Sequence, residues 1–105
     1  MENKQINAEK MQYIVDCLSN EELLAQLAEE AAELGHAALK LRRVYDGTNP
    51  TPVPKEDALK ALMEEIADVQ LVLETLGLDA NPRYAEIRQA KLDRWAQRLD
   101  WGSDD

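Results

Sequence analysis

The sequence predicts an all-α fold of four helices in a single domain spanning residues 1–105. Apolar residues recur at helical spacing, glycine and proline fall almost entirely between those stretches, and no segment shows the period of two that marks a strand. A chain of 105 residues is also near the usual size of one domain.

Cap and breaker residues set the limits of each predicted helix. Asn7 is expected to cap the first helix, and Ser19 with Glu22 forms a capping box at the start of the second. Asn81 followed by Pro82 opens the fourth. Three prolines make residues 48–54 a non-helical connection. The predicted limits are about Ala8 to Leu18, Ser19 to Tyr45, Pro54 or Lys55 to Gly77, and Asn81 to Asp100.

Composition excludes several classes of protein. A net charge of −9 argues against a nucleic-acid binder, since phosphate contacts need a basic surface. No stretch is long and apolar enough to span a membrane, and residues 1–10 lack the hydrophobic run of a secretory signal. Cys17 is the single cysteine and is expected in or near the core. We therefore expect a cytoplasmic protein.

Two acids interrupt the apolar arcs of the second and third helices. Helical projection places Glu30 at the edge of one apolar stripe and Glu65 inside the next, with Glu33 and Asp68 three residues further on. The predicted stripes are Leu23, Leu27, Ala31, Leu34, Ala38, Leu41 and Tyr45, then Leu59, Leu62, Ile66, Val69, Leu73 and Leu76.

Antiparallel packing of these helices would bring the four carboxylates together. Like charges at a partly buried interface must protonate, pair with bases or bind a cation, and no lysine or arginine lies within the core-facing arcs. An all-oxygen ligand set suits Mg²⁺, or alternatively Mn²⁺. A solvated charged face remains the competing interpretation of these acids.

A di-iron carboxylate site is a different interpretation of the same acids. Glu33 and His36 match half of its Glu-x-x-His requirement. Because the chain has one histidine, a homodimer would have to supply the second pair. A surface or site-rim position is the alternative expectation for His36.

The two acidic motifs resemble a known family. Glu29-Glu30-x-x-Glu33, followed about thirty residues later by Glu65-x-x-Asp68, is similar to the signature of the MazG-like all-α NTP pyrophosphohydrolases. The resemblance covers the second and third helices fully and the fourth loosely.

That resemblance implies a fold, an activity and an assembly. It implies a MazG-like bundle in which Glu30, Glu33, Glu65 and Asp68 coordinate Mg²⁺ and Glu29 is a further acid. The implied reaction cleaves a nucleoside triphosphate, ribo or deoxy, to the monophosphate and pyrophosphate. The implied assembly is a homodimer or a tetramer built from two dimers, which completes the bundle.

The chain departs from two branches of that family. The phosphoribosyl-ATP branch usually carries Tyr-His shortly after the motif aspartate, where this chain has Val69-Gln70-Leu71. The deoxycytidine triphosphatases tend to place a tyrosine one turn beyond it, where this chain has Val72. The preferred base is therefore left open.

The remaining roles are assigned by chemistry. Glu33 is a candidate general base, with Glu30 or Glu29 as alternatives. Lys91 and Arg94, with Arg98 beside them, are candidates to bind phosphate, although a solvated basic face explains them equally well. Trp95, Trp101 and Tyr45 could stack a base or form core and interface. A non-catalytic nucleotide-binding or protein-interaction module is the alternative function.

Overall fold

The computed structural model describes residues 3–49 and 52–102 and places four α-helices in them, with no strand in those ranges. They are α1 (Lys4–Cys17), α2 (Asn20–Asp46), α3 (Lys55–Leu76) and α4 (Pro82–Arg98). The predicted all-α class is confirmed. Residues 50 and 51 of the predicted connection, and residues 103–105, lie outside the described part of the chain.

Capping explains where the helices begin. The hydroxyl of Ser19 accepts from the Glu22 amide at 3.1 Å while the Glu22 carboxylate accepts from the Ser19 amide at 3.5 Å, so the predicted capping box is present. Helix α1 begins earlier than predicted. The Asn3 side chain accepts from the Ile6 amide at 3.1 Å, which makes Asn3 the N-cap in place of Asn7. No breaker separates the two asparagines, so the helix extends to the earlier cap.

Helices α2 and α3 form an antiparallel hairpin. Leu23, early in α2, lines the same small cavity as Val72, late in α3. At the other end, the Lys55 ammonium at the start of α3 lies 4.7 Å from the ring centre of Tyr45. Gly47 ends α2 with a φ of 75°, a left-handed conformation that glycine adopts without strain.

The two helices meet along a seam with heptad spacing. Every residue of α2 that is not fully exposed follows alternating steps of four and three. The matching positions in α3 keep the same steps. The seam comprises Leu23, Leu27, Glu30, Leu34, Ala37, Leu41 and Val44 of α2, and Ala58, Leu62, Glu65, Val69, Val72 and Leu76 of α3.

The seam corrects the predicted stripes. Ala31, Ala38 and Tyr45, expected to face the core, are exposed, as are Leu59 and Ile66 on α3. Because helical periodicity places these five residues on one side of the seam, we call them the apolar flank. The prediction failed because projection alone centres a stripe on apolar residues, whereas the real contact runs through both glutamates.

Helix α1 packs against α3 and stays largely open to solvent. Ile14 and Leu18 join Leu23 and Val72 around an apolar cavity of about 150 Å³. Cys17, expected in or near the core, is exposed on α1. No residue of α1 is fully buried, because the weak amphipathic pattern of this helix lets it bury only one edge.

Helix α4 stands apart from the other three. No helix in the described ranges approaches it closely, and each of its residues except Ala96 is exposed. The radius of gyration is 17.9 Å, against about 13 Å for a compact domain of this length. The chain thus folds as a hairpin with two appended helices.

Within the described residues, no helix combines the length and the hydrophobicity needed to cross a membrane.

The seam predicts where truncation is costly. Replacing Leu23, which is 3% exposed, with alanine should lower the free energy of unfolding by about 2–5 kcal/mol through lost burial and a cavity. Leu39→Ala, at a 50% exposed position on the same helix, should cost about 0.5 kcal/mol or less. Urea denaturation at one protein concentration measures both, and equal losses would contradict the seam.

Candidate metal centre

Glu30 and Glu65 occupy seam positions that would otherwise be apolar. Both are half-buried, and each follows the heptad steps of its neighbours, Leu27 and Leu34 in α2 and Leu62 and Val69 in α3. Carboxylates at such positions lose part of their hydration. The fold itself thereby concentrates negative charge in the middle of its main helix contact.

Asp68 joins the two glutamates. One carboxylate oxygen from each of Glu30, Glu65 and Asp68 can be chosen so that all three lie within 4.8 Å of one another. The oxygens around one Mg²⁺ lie about 3 to 4 Å apart. Small side-chain adjustments would therefore allow all three carboxylates to reach one ion. We call Glu30, Glu65 and Asp68 the acid cluster.

Gln26 holds one member of the acid cluster. Gln26 lies one turn before Glu30 on α2, and its amide Nε2 donates a hydrogen bond to Glu30 Oε1 at 2.7 Å. This hydrogen bond favours one orientation of the Glu30 carboxylate. Sequence reasoning missed Gln26, although a Gln-Glu pair four residues apart on a helix is a recognisable signal.

The other two motif acids lie outside the acid cluster. Glu33 is exposed but close enough for its charge to act on Glu65. Glu29 is exposed and faces further from the seam by helical periodicity. Of the four predicted ligands, the structure brings three together and leaves Glu33 at their edge. His36 is exposed, as expected for a surface residue.

The environment raises the pKa of Glu65 above its ordinary value. Partial burial is the largest cause, and the negative charges of Asp68, Glu30, Glu33 and, least of all, Glu64 raise the pKa further. A bound cation would oppose both effects, because its charge favours the ionised form.

No basic side chain neutralises the acid cluster within the described residues. The ion pair between Lys60 and Glu64 spans 3.9 Å on the exposed side of α3 and involves none of the clustered acids. The charges are thus uncompensated by the protein, which favours the cation that the sequence predicts.

Helix α4 does not bring its basic residues to the acid cluster of the same chain. Lys91, Arg94 and Arg98 line a shallow surface cavity of about 240 Å³ together with Trp95. Because α4 does not approach α2 or α3 closely, the predicted phosphate-binding residues are separated from the predicted metal ligands. Tyr45, Trp95 and Trp101 are exposed, so none of these aromatic residues forms core within the chain.

Comparison of the chain with family models, curated proteins and solved structures finds no match.

The raised pKa of Glu65 makes stability depend on pH. The folded state holds this proton more tightly than the unfolded chain does, so the stabilising contribution is complete below the ordinary value of 4.5 and is lost as pH rises through the raised value. In metal-free buffer, the stability advantage of Glu65→Gln over the unchanged protein should therefore grow as pH rises from about 4.5 toward neutrality. Denaturation at several pH values measures it, and a constant advantage would contradict the assignment.

Magnesium should stabilise the folded protein through the acid cluster. Millimolar MgCl₂ should raise the Tm of the unchanged protein, because an ion that binds only the folded state shifts the equilibrium toward it. Glu65→Gln and Asp68→Asn should each remove most of that rise. The matched control is Glu64→Gln, the exposed neighbour, which should keep it. An equal loss in all three variants would indicate general charge screening.

Proposed function

We propose that the protein is a Mg²⁺-dependent nucleoside-triphosphate pyrophosphohydrolase. The observation that carries the proposal is the meeting of Glu30 from the first acidic motif with Glu65 and Asp68 from the second, at a helix seam that no base in the described ranges neutralises. The order and spacing of the motifs, which resemble those of MazG-like enzymes, support the reaction class. The acid cluster by itself supports only the cation.

The carboxylate set fits a hard divalent ion. Glu30, Glu65 and Asp68 would hold Mg²⁺, or Mn²⁺ in its place, with Glu33 at the edge as a fourth ligand or as a base. The bound ion would supply neutralisation of phosphate oxygens and activation of water. Glu29 would add negative charge outside the ligand set.

The chain's own residues would position the substrate and move one proton. Hydrolysis forms a bond from water oxygen to the α-phosphorus and breaks the bond to the pyrophosphate oxygen, while a carboxylate accepts the water proton. Glu33 suits that base because it is exposed beside the acid cluster, whereas Gln26 occupies one oxygen of Glu30. Lys91 and Arg94 would bind the departing pyrophosphate.

Assembly is part of the proposal. The chain exposes 8801 Å², while a compact monomer of 11.9 kDa exposes about 5,900 Å². The excess is larger than the roughly 800 Å² that each partner buries in a standard interface. We infer a homodimer, or a tetramer of two dimers, in which the apolar flank is covered. A cytoplasmic location, suggested by the single cysteine, belongs to the same proposal.

A panel of ribo- and deoxynucleoside triphosphates, including damaged forms, tests the function. With Mg²⁺ present, at least one substrate should yield a monophosphate and pyrophosphate in equal amounts. Glu65→Gln and Glu33→Gln should each lower kcat by about 10²-fold or more, since one removes a ligand and the other the proposed base. Glu64→Gln should change kcat by less than about threefold.

Two results would favour other functions. Tight nucleotide or protein binding without turnover would favour the non-catalytic module. Iron retained through purification, with a visible absorption band, would favour the di-iron site. That site requires a dimer, because each chain supplies only one histidine, His36.

A further inference from the structure

Helix α4 has two chemically opposite faces. Helical periodicity places its larger apolar side chains and most of its basic side chains on one face, and its acids with its glutamines on the other. We call the first the basic aromatic face, represented by Arg88, Lys91, Arg94, Trp95, Arg98 and Leu99. The opposite face carries Glu86, Gln89, Asp93 and Gln97.

The basic aromatic face has no partner within the described part of its own chain. Trp95 is 61% exposed and Leu99 73% exposed, and α4 approaches none of α1, α2 and α3 closely. Exposed aromatic residues among arginines are typical of a protein-binding surface. A helix whose apolar face stays in water is only marginally stable, because most helical stability comes from packing that face against a partner.

Charge selects the surface that would cover it. Helix α4 carries five basic and two acidic residues, whereas the rest of the chain carries seven basic and nineteen acidic residues. The α2–α3 hairpin concentrates exposed acids on the side of the seam opposite the apolar flank. Glu29, Glu33, Glu64 and Asp68 are all exposed there, and we call them the acidic flank.

We propose that the basic aromatic face of α4 docks on the acidic flank of a second copy of this chain. The exposed surface supports this docking, because its excess over that of a compact monomer is large enough for this contact and for the one that covers the apolar flank. Opposite charges on the two surfaces orient the encounter. In this arrangement Lys91 and Arg94 come from one copy and the acid cluster from the other, which a single chain does not achieve.

The docking is independent of whether the protein hydrolyses nucleotides, and its test uses assembly as the readout. In a Cys17→Ser background, a chain carrying Lys91→Cys is mixed with a chain carrying Asp68→Cys under mild oxidation. A disulfide joining the two different chains is expected, because each chain holds one thiol and docking brings them together. Gln89→Cys, on the opposite face of α4, is the matched control and should give little of that product.

Charge reversal provides the second arm. Lys91→Glu with Arg94→Glu should raise the dissociation constant of self-association, measured by sedimentation equilibrium, by at least tenfold. Added salt should reduce the difference in that constant between the variant and the unchanged protein. Glu86→Lys with Asp93→Lys, on the other face, should weaken it by less than about threefold. Both pairs lie on the exposed surface of α4, so each variant is expected to fold.

Three outcomes would overturn the proposal. The first is the absence of a mixed disulfide together with unchanged assembly after charge reversal. The second is a disulfide that forms within one chain when Lys91→Cys and Asp68→Cys are combined in a monomer. The third is that the unchanged protein sediments with vesicles containing phosphatidylserine, that the charge-reversed variant does not, and that no mixed disulfide forms.

Discussion

Negative charge inside the α2–α3 seam couples the packing of the hairpin to the chemistry of its candidate site. Glu30 and Glu65 occupy heptad positions between leucines and valines, where an apolar side chain would stabilise the hairpin more. The hairpin tolerates them because both are only half-buried and water reaches them. Replacing that water with a cation would favour the ionised carboxylates and tie the two helices together at their midpoint.

The fold and the candidate site are therefore connected through the register in which α2 packs against α3. The capping box at Ser19, the turn at Gly47 and the contact between Lys55 and Tyr45 limit the antiparallel register. That register places Glu30 opposite Glu65. With a shift of one heptad step in either helix, the two motifs would no longer meet, and the seam would place each glutamate against an apolar neighbour.

The sequence predicted the helices well where local chemistry defines them. Caps at Ser19, Gly47, Gly77 and Asn81 are local signals, and the structure uses all of them. Asn3 was missed because two asparagines compete for the same helix start. The acids were found because their spacing and the apolar residues around them are also local.

Contacts between helices could not be predicted in the same way. Projection placed Ala31 and Ile66 in the core, whereas both are exposed, since the pairing of two stripes depends on the partner helix. Nothing local indicated that α4 would stay away from the hairpin. Its amphipathic pattern predicts that it covers something, while the identity of the covered surface depends on three-dimensional geometry or on another molecule.

Paramagnetic NMR would locate a cation bound in the seam without any assay of activity. Substoichiometric Mn²⁺ added to the ¹⁵N-labelled protein should broaden the amide signals around Glu30, Glu65 and Asp68 first, and excess Mg²⁺ should restore them. Broadening spread evenly over the exposed acids of α1, α2 and α3, or no selective broadening, would contradict a cation site in the seam.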